Sequence, residues 1–199
     1  YFDGQAFYHP ELKFQVVFPA GWRTNNGFSA VTGLAEKQDG LLQLELAGTE
    51  PIATQLQTFL AQQGVTAGAT SNAAVNGLPA VSAQFGAQLE KGPVKGYITF
   101  ITYGGRNYRL MTLATDAQFA AYDAPMRSWI GSFRPLTDAA RINVKPARIK
   151  IVKLGGPMTV TAFNTRYPSV IPVDRVALLN GVATDATFPA GKLVKQVVK

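Results

Sequence analysis

The apolar positions of residues 7–135 switch between the period of a β-strand and that of an α-helix. Residues 14–18 are a short apolar run that ends at Pro19-Ala20-Gly21, which predicts a strand followed by a turn. Apolar and polar residues alternate from Leu42 to Leu46, as in a half-buried strand. The Asp39-Gly40 pair before this segment predicts a hairpin turn that leads into it.

The period changes in residues 51–60. Ile52, Leu56 and Phe59 recur at helical spacing with Leu60, so they share one face of a predicted helix. Pro51 suits the first turn of that helix, and Gly64 suits the chain reversal after its end.

Three further segments, residues 80–89, 94–103 and 106–114, are predicted strands separated by Gly-containing turns. Their short connections predict an antiparallel meander, which the Asn76-Gly77 turn precedes. A last helix should follow, with Asp116 as its N-cap. Its predicted apolar face consists of Phe119, Tyr122, Met126, Trp129 and Ile130.

A helix, a meander and a second helix predict an α+β fold in which helices pack on an antiparallel sheet. Pro19-Ala20-Gly21-Trp22 after an apolar strand, the Asn76-Gly77-Leu78-Pro79-Ala80 hairpin and the closing segment 129–133 resemble PsbP-like domains. We therefore expect residues 1–135 to form a PsbP-like α+β domain. Residues 136–147 contain little apolar periodicity and are predicted to be a linker.

The remaining residues, 148–199, predict a small second domain. Residues 148–154 alternate as a strand does, 159–167 and 172–179 are predicted helices, and 193–198 is a predicted closing strand. The expected order is therefore β-α-α-β. On the first strand we expect Ile149 and Ile151 to face inward and Arg148 and Lys150 to face solvent. Lys153 follows Val152 and does not fit this alternation.

Charge separates the two regions. The chain carries a net charge of +7, but residues 1–138 hold nine basic and ten acidic side chains, whereas residues 139–199 hold ten basic and two acidic. This excess predicts an anionic partner, with Arg148, Lys150 and Lys153 as an anion-binding stripe. The alternative is a solvated basic surface without a partner. No aromatic residues interleave with the stripe, so nucleic acid is not the expected partner. No apolar run reaches the roughly 18 residues of a membrane span.

The C-terminal region also carries a resemblance. Leu178-Leu179-Asn180-Gly181, followed by Pro189-Ala190-Gly191-Lys192-Leu193-Val194, is similar to the LysM glycan-binding module. The resemblance implies a sugar groove near Gly156, Met158, Asn180 and Gly181. Gly156-Pro157-Met158-Thr159 replaces the Gly-Asp-Thr turn of that family, however, and turn geometry alone also explains Asn180.

A PsbP-like unit followed by a basic LysM-like unit is similar to the C-terminal extension of certain secreted bacterial zinc peptidases. The resemblance implies an upstream peptidase domain with a His-Glu-x-x-His helix, a periplasmic or secreted location, and peptidoglycan or another anionic envelope polymer as the partner. Because the chain starts at Tyr1 without a signal segment, we expect it to be a piece of a longer protein.

Candidate catalytic chemistry is sparse. His9 is the single histidine, and cysteine is absent, so neither a His-Glu-x-x-His zinc site nor a thiolate site is available within these residues. We predict no catalytic residue, metal ligand or cofactor here, with zinc confined to the implied upstream domain. The alternative function is a small-ligand or protein-binding module on the meander, where Tyr97, Tyr103 and Tyr108 would face a pocket.

Overall fold

The computed structural model describes all 199 residues and divides them into two compact units, Tyr1–Asn143 and Val144–Lys199. None of the helices combines the length and the apolar character needed to cross a membrane. Each unit has its own hydrophobic core and is described separately below.

The first unit contains eleven strands in two antiparallel sheets. The strands are β1 (Phe2–Asp3), β2 (Ala6–His9), β3 (Phe14–Val17), β4 (Arg23–Asn26), β5 (Ala30–Leu34), β6 (Gly40–Leu46), β7 (Val65–Ser71), β8 (Ala80–Leu89), β9 (Gly92–Tyr103), β10 (Arg106–Thr115) and β11 (Arg134–Pro135). The large sheet has seven strands in the order β4-β5-β6-β10-β9-β8-β7, and the smaller sheet has four in the order β1-β2-β3-β11. Its helices are α1 (Ile52–Leu60), α2 (Phe119–Gly131) and α3 (Ala139–Ile142).

The predicted meander is confirmed. β8 pairs with β9 and β9 with β10, all antiparallel, and β10 continues the sheet by pairing with β6. Gly104 and Gly105 form the β9–β10 turn with φ of +58° and +72°, a region that glycine enters without steric cost. Asn76 and Gly77 likewise have positive φ in a tight turn closed by the Val75–Leu78 bridge.

The two main helices pack on opposite faces of the large sheet. Leu56 and Phe59 of α1 contact the face that carries Ile98 and Phe100, as the helical spacing predicted. Met126 and Trp129 of α2 are fully buried in the other core cluster. This second cluster is rich in aromatic rings, among them Phe7, Phe14, Phe18, Tyr108 and Phe133.

The predicted cap of α2 is wrong. The N-cap is Gln118, whose side chain makes no capping hydrogen bond, and Asp116 instead forms an ion pair of 2.7 Å with Lys95. The reason is that β10 continues to Thr115, so a turn occupies the residues between this strand and the start of α2 at Phe119.

The segment predicted as a linker contains ordered structure at its start. Leu136 is buried and its amide donates to the carbonyl of Lys13 at 2.7 Å. Asp138 caps α3 by accepting from the amide of Ala140 at 2.9 Å. The boundary between the two compact units falls between Asn143 and Val144.

In the second unit, two short helices lie in chain order between the two strands of a two-stranded sheet. Its elements in chain order are β12 (Arg148–Lys153), β13 (Met158–Thr159), α4 (Val160–Arg166), α5 (Val173–Leu179), β14 (Thr187–Phe188) and β15 (Leu193–Val198). β12 pairs with β15 and β13 with β14, both antiparallel. The order strand, helix, helix, strand agrees with the prediction, and the β13–β14 pair is an addition to it. The small core consists of Leu154, Val160, Phe163, Val176, Ala177, Phe188 and Val194.

Candidate functional site

The predicted basic stripe lies on β12, the edge strand of the β12–β15 pair. Arg148, Lys150 and Lys153 are all exposed, and none of them forms an ion pair. Cross-strand neighbours in an antiparallel pair share a face, and residues along a strand alternate between faces. Arg148 and Lys150 are therefore on the face of Val152 and Val194, while Lys153 is on the opposite face.

The expected orientation of the isoleucines is wrong. Ile149 and Ile151 are 56% and 52% exposed, whereas Val152 is half-buried and Leu154 is buried. The apolar residues Ile149, Ile151, Val152 and Leu154 fit either phase of a strand, and the core selects the phase that buries Val152 and Leu154 against α4 and α5. The isoleucines are consequently on the face that points away from this core.

We call this second face the outer face of the β12–β15 pair. It consists of three directly opposed pairs, Ile149 with Val197, Ile151 with Lys195 and Lys153 with Leu193. Leu193 is 59% exposed and both lysines are exposed, while Val197 is buried. The outer face therefore presents aliphatic and cationic groups side by side.

Asn180 connects α5 to β15. Its amide nitrogen donates to the carbonyls of Val176 and Lys195, both at 2.9 Å, and its side-chain oxygen accepts from the amide of Lys195 at 2.8 Å. Gly181 follows with φ of +68°, which reverses the chain after the helix. Both residues serve the fold of the unit, and Asn180 already has backbone partners for both of its amide atoms.

Gly156 and Met158 occupy the connection between β12 and α4. A Cβ on Gly156 would meet nothing within 4 Å, so the position does not require glycine for space. Met158 pairs with Phe188 in the β13–β14 ladder and packs against the core of the second unit. Thr159 caps α4 by accepting from the amide of Ala162 at 3.1 Å.

The first unit has a groove between α2 and strands β7–β9, which we call the α2 groove. Its volume is about 360 Å³, and its polar lining includes Ser82, Gln84, Tyr97, Thr99 and Arg127. The hydroxyls of Ser82 and Thr99 are 2.9 Å apart, and Thr99 is fully buried. Hydroxyl, amide and guanidinium groups thus converge on one concave surface.

A cluster of three side chains lies at one wall of the α2 groove. The Tyr97 hydroxyl donates to Asp123, whose carboxylate accepts two 3.0 Å bonds from the Arg127 guanidinium. The same guanidinium lies 4.9 Å from the centroid of the Tyr97 ring. Burial and the bond to Asp123 raise the pKa of Tyr97 to about 12, and the Tyr97 and Arg127 bonds hold the pKa of Asp123 below its usual value.

Of the three tyrosines predicted to face a pocket, the structure places only Tyr97 in the α2 groove. Tyr108 is buried in the aromatic core and lines a separate small cavity of about 120 Å³, and the Tyr103 hydroxyl donates to the carbonyl of Lys13 at 2.8 Å. Sequence reasoning missed Asp123 and Arg127, although their i, i+4 spacing on a helix is a readable sign of an ion pair.

His9 is half-buried on β2, where its Nδ1 accepts from the amide of Leu12 at 3.2 Å. Burial lowers its pKa. The ring lies 5.2 Å from that of Phe14, centroid to centroid. No three side chains of His, Asp or Glu come together in a group that could hold a metal ion.

The fold of this chain is similar to those of known structures, whereas its sequence matches no known family or curated protein. No protein-family model matches the chain, and no curated protein sequence matches it. Among solved structures, cyanobacterial PsbP (CyanoP) from Synechocystis sp. PCC 6803 matches with a TM-score of 0.53 and 10% identity, over 66% of this chain and 91% of that chain. LpqN of Mycobacterium tuberculosis, involved in cell envelope biogenesis, matches with a TM-score of 0.47 and 14% identity, over 60% of this chain and 81% of that chain.

The likeness to CyanoP covers about two thirds of this chain and nearly all of that chain. At this low identity the likeness concerns the fold alone. The predicted PsbP-like α+β fold is therefore confirmed.

Proposed function

We propose that this chain is a non-catalytic binding region that holds a larger protein at an anionic surface of the bacterial envelope. The observation that carries the proposal is the separation of charge between the two compact units. The first unit has ten basic and ten acidic side chains, whereas the second has nine basic and two acidic. A concentrated positive field attracts polyanions, and the first unit contributes no net charge to it.

The second unit presents this charge on a small, firmly connected scaffold. Arg148, Lys150 and Lys153 project from an edge strand, and Asn180 joins the neighbouring strand to α5 through three hydrogen bonds. The proposed partner is an anionic envelope polymer, with peptidoglycan as the first choice. The LysM-like segments support Gly156, Met158, Asn180 and Gly181 as the proposed glycan contacts, with Asn180 contributing through its backbone because its side-chain amide atoms already have partners.

The proposal extends to the parent protein. The succession of a PsbP-like unit and a basic LysM-like unit supports an accessory role beside a secreted zinc peptidase whose catalytic domain lies upstream. In this arrangement the chain is periplasmic or secreted and contributes position rather than chemistry, and any zinc belongs to the upstream domain. A His-Glu-x-x-His helix in the preceding residues of the full-length gene product would support this part, and another kind of domain there would contradict it.

Co-sedimentation with purified peptidoglycan sacculi across a salt series tests the envelope role. We expect binding at low salt that weakens steeply as salt rises, because the interaction is mainly electrostatic. The variant Arg148→Gln/Lys150→Gln should bind more weakly than the wild type. The matched control, Lys37→Gln/Lys91→Gln, removes two exposed lysines from the first unit and should bind as the wild type does. No binding at low salt would contradict the proposal.

The α2 groove supports a second candidate function, the binding of a small neutral polyhydroxylated molecule. Its volume of about 360 Å³ lies in the range of ligand pockets, and its hydroxyl and amide groups suit neutral hydrogen-bonding ligands. Arg127 is already neutralised by Asp123, so an anionic ligand is less suited to it.

NMR titration with N-acetylglucosamine tests this second candidate. We expect amide shifts at Ser82, Gln84 and Thr99 that are reduced in a Gln84→Ala variant. Unchanged spectra at millimolar sugar would contradict it.

A further inference from the structure

The outer face of the β12–β15 pair is the most exposed aliphatic surface on a strand pair in this molecule. Ile149, Ile151 and Leu193 are each more than half exposed, and all three are on one face by the strand register. The second unit is small and buries only seven residues in its core cluster, so three large aliphatic side chains left in solvent are a conspicuous cost to it. Such a surface is typical of a face that is covered by a binding partner.

The cationic groups of the outer face are interleaved with the aliphatic ones rather than set apart from them. Lys195 is directly opposite Ile151, and Lys153 is directly opposite Leu193. The Lys195 ammonium donates one long hydrogen bond, of 3.4 Å, to the carbonyl of Leu179 and keeps two further N–H donors. Lysine has a long aliphatic stem and a charged head, so such neighbours can bury their stems while the ammonium groups stay in a polar layer. An apolar centre with snorkelling lysines is the arrangement of surfaces that lie at a bilayer interface.

The composition of the face favours a lipid surface over the other classes of partner. Protein interfaces are enriched in aromatic residues and arginine and depleted in lysine, but the outer face contains no aromatic residue and no arginine. Stacking of sugar rings or bases also needs aromatic side chains, which this face lacks. Aliphatic side chains and lysines instead match a bilayer with anionic headgroups.

We propose that the outer face of the β12–β15 pair docks on an anionic lipid bilayer, with Ile149, Ile151 and Leu193 inserted among the headgroups and Lys153 and Lys195 paired with lipid phosphates. The net positive charge of the second unit supplies the long-range attraction, since the unit has nine basic side chains and only two acidic ones. Arg148 and Lys150 are on the opposite face of β12, so they remain available to a polymer. This inference goes beyond the proposed envelope role, because it assigns a second partner to a different face.

Vesicle co-sedimentation of the whole chain tests the inference. We expect binding to vesicles of phosphatidylglycerol and phosphatidylcholine in equal parts, and little binding to pure phosphatidylcholine. Lys153→Gln/Lys195→Gln should weaken binding by about fivefold for each lysine removed. Ile149→Thr/Ile151→Thr/Leu193→Thr should weaken it by roughly tenfold or more while leaving the net charge unchanged.

The matched control for the aliphatic variant is Leu178→Gln on α5, which removes an even more exposed leucine (68%) from outside the outer face. It should bind vesicles as the wild type does. A second measurement is independent of any loss of folding. The two tryptophans, Trp22 and Trp129, are both buried in the first unit, so an Ile151→Trp variant carries one exposed indole whose emission should shift to shorter wavelength on anionic vesicles.

The remaining outcomes separate this inference from the envelope role. Vesicle binding that the threonine variant leaves unchanged would show a purely electrostatic contact and overturn the inference. Binding to sacculi without binding to vesicles would overturn it and leave the envelope role standing, and binding to neither would overturn both. A dimer in sedimentation velocity that the threonine variant dissociates would make the face a self-contact and would also overturn it.

Discussion

The two units of the chain differ in how much of their apolar surface they leave exposed. The first unit buries most of its large aromatic side chains, including Phe7, Phe18, Tyr108 and Trp129, although Phe28 is exposed, and its charges balance. The second unit exposes Ile149, Ile151 and Leu193 and carries almost no acidic residues. Core burial explains most of the first unit, whereas the second contains surface features that folding alone does not require. This difference is why we propose the second unit as the binding unit.

The largest expected effect is the loss of the second unit's core. Phe163 is fully buried and packs edge-on against Phe188, with ring centroids 5.8 Å apart. Phe163→Ala should cost about 3–5 kcal/mol, which is comparable to the whole stability of so small a unit. We expect the amide NMR signals of residues 144–199 to collapse to those of an unfolded chain. The thermal transition reported by Trp22 and Trp129 should stay unchanged, and a parallel loss there would show that the units do not fold independently.

A substitution at Gly96 is the corresponding experiment for the first unit, because it should destabilise that unit alone. A Cβ on Gly96 would lie 1.8 Å from the carbonyl oxygen of Thr112, a backbone atom that cannot move aside. Gly96→Ala should therefore destabilise the first unit by about 3 kcal/mol or more, measured by denaturant unfolding followed by tryptophan fluorescence. Gly131→Ala is the control, because its Cβ would meet nothing within 4 Å. Equal stability of the two variants would contradict this packing.

Asn180→Ala should have a medium effect on the second unit alone. It removes three hydrogen bonds and leaves the amide of Lys195 without its partner, at a cost of about 1–3 kcal/mol. Asn180→Asp keeps the acceptor for that amide and should fall between the alanine variant and the wild type in urea unfolding. An alanine variant as stable as the wild type would contradict the structural role of Asn180.

The smallest effect concerns pH and the first unit. Because the pKa of Tyr97 is raised to about 12, its contribution to stability is fully present below the unfolded value of 10 and is lost as pH rises through about 12. Asp123 has a lowered pKa, so its contribution is present above the unfolded value of 3.8 and is lost as pH falls through the lowered one. Tyrosine-ring NMR should find Tyr97 still protonated at pH 11. Arg127→Gln should alter this titration, and an ordinary pKa for Tyr97 would disprove the cluster.

Much of the fold was predictable because its strongest elements carry strong periods. The helix at Ile52–Leu60 and the meander from Ala80 to Thr115 follow directly from apolar spacing and Gly-containing turns. The strands β4 and β7 were missed for a physical reason. Arg23–Asn26 is polar, and Val65–Ser71 is exposed along almost its whole length. These edge strands are defined by pairing with a neighbour rather than by burial of their own side chains.

The candidate sites were less predictable than the fold. The four-residue run of Ile149, Lys150, Ile151 and Val152 is compatible with two phases, and only the core of α4 and α5 decides between them. The phase observed in the structure exposes both isoleucines, and they form part of the outer face. The wall of the α2 groove depends on a contact of Tyr97 with Asp123 and Arg127, which lie on a helix that is distant in sequence. Local spacing in the sequence does not predict such a contact.

Exchanging charge between the units shows whether the second unit binds the anionic partner, because the exchange keeps the net charge of the whole chain constant. One variant combines Lys150→Glu and Lys153→Glu with Glu11→Lys and Glu90→Lys, all at exposed positions, and so moves four units of charge from the second unit to the first. Binding to sacculi and anionic vesicles is then measured across salt concentrations. We predict that binding falls to near background although the net charge remains +7. Binding equal to that of the wild type would contradict the assignment of the binding surface to the second unit.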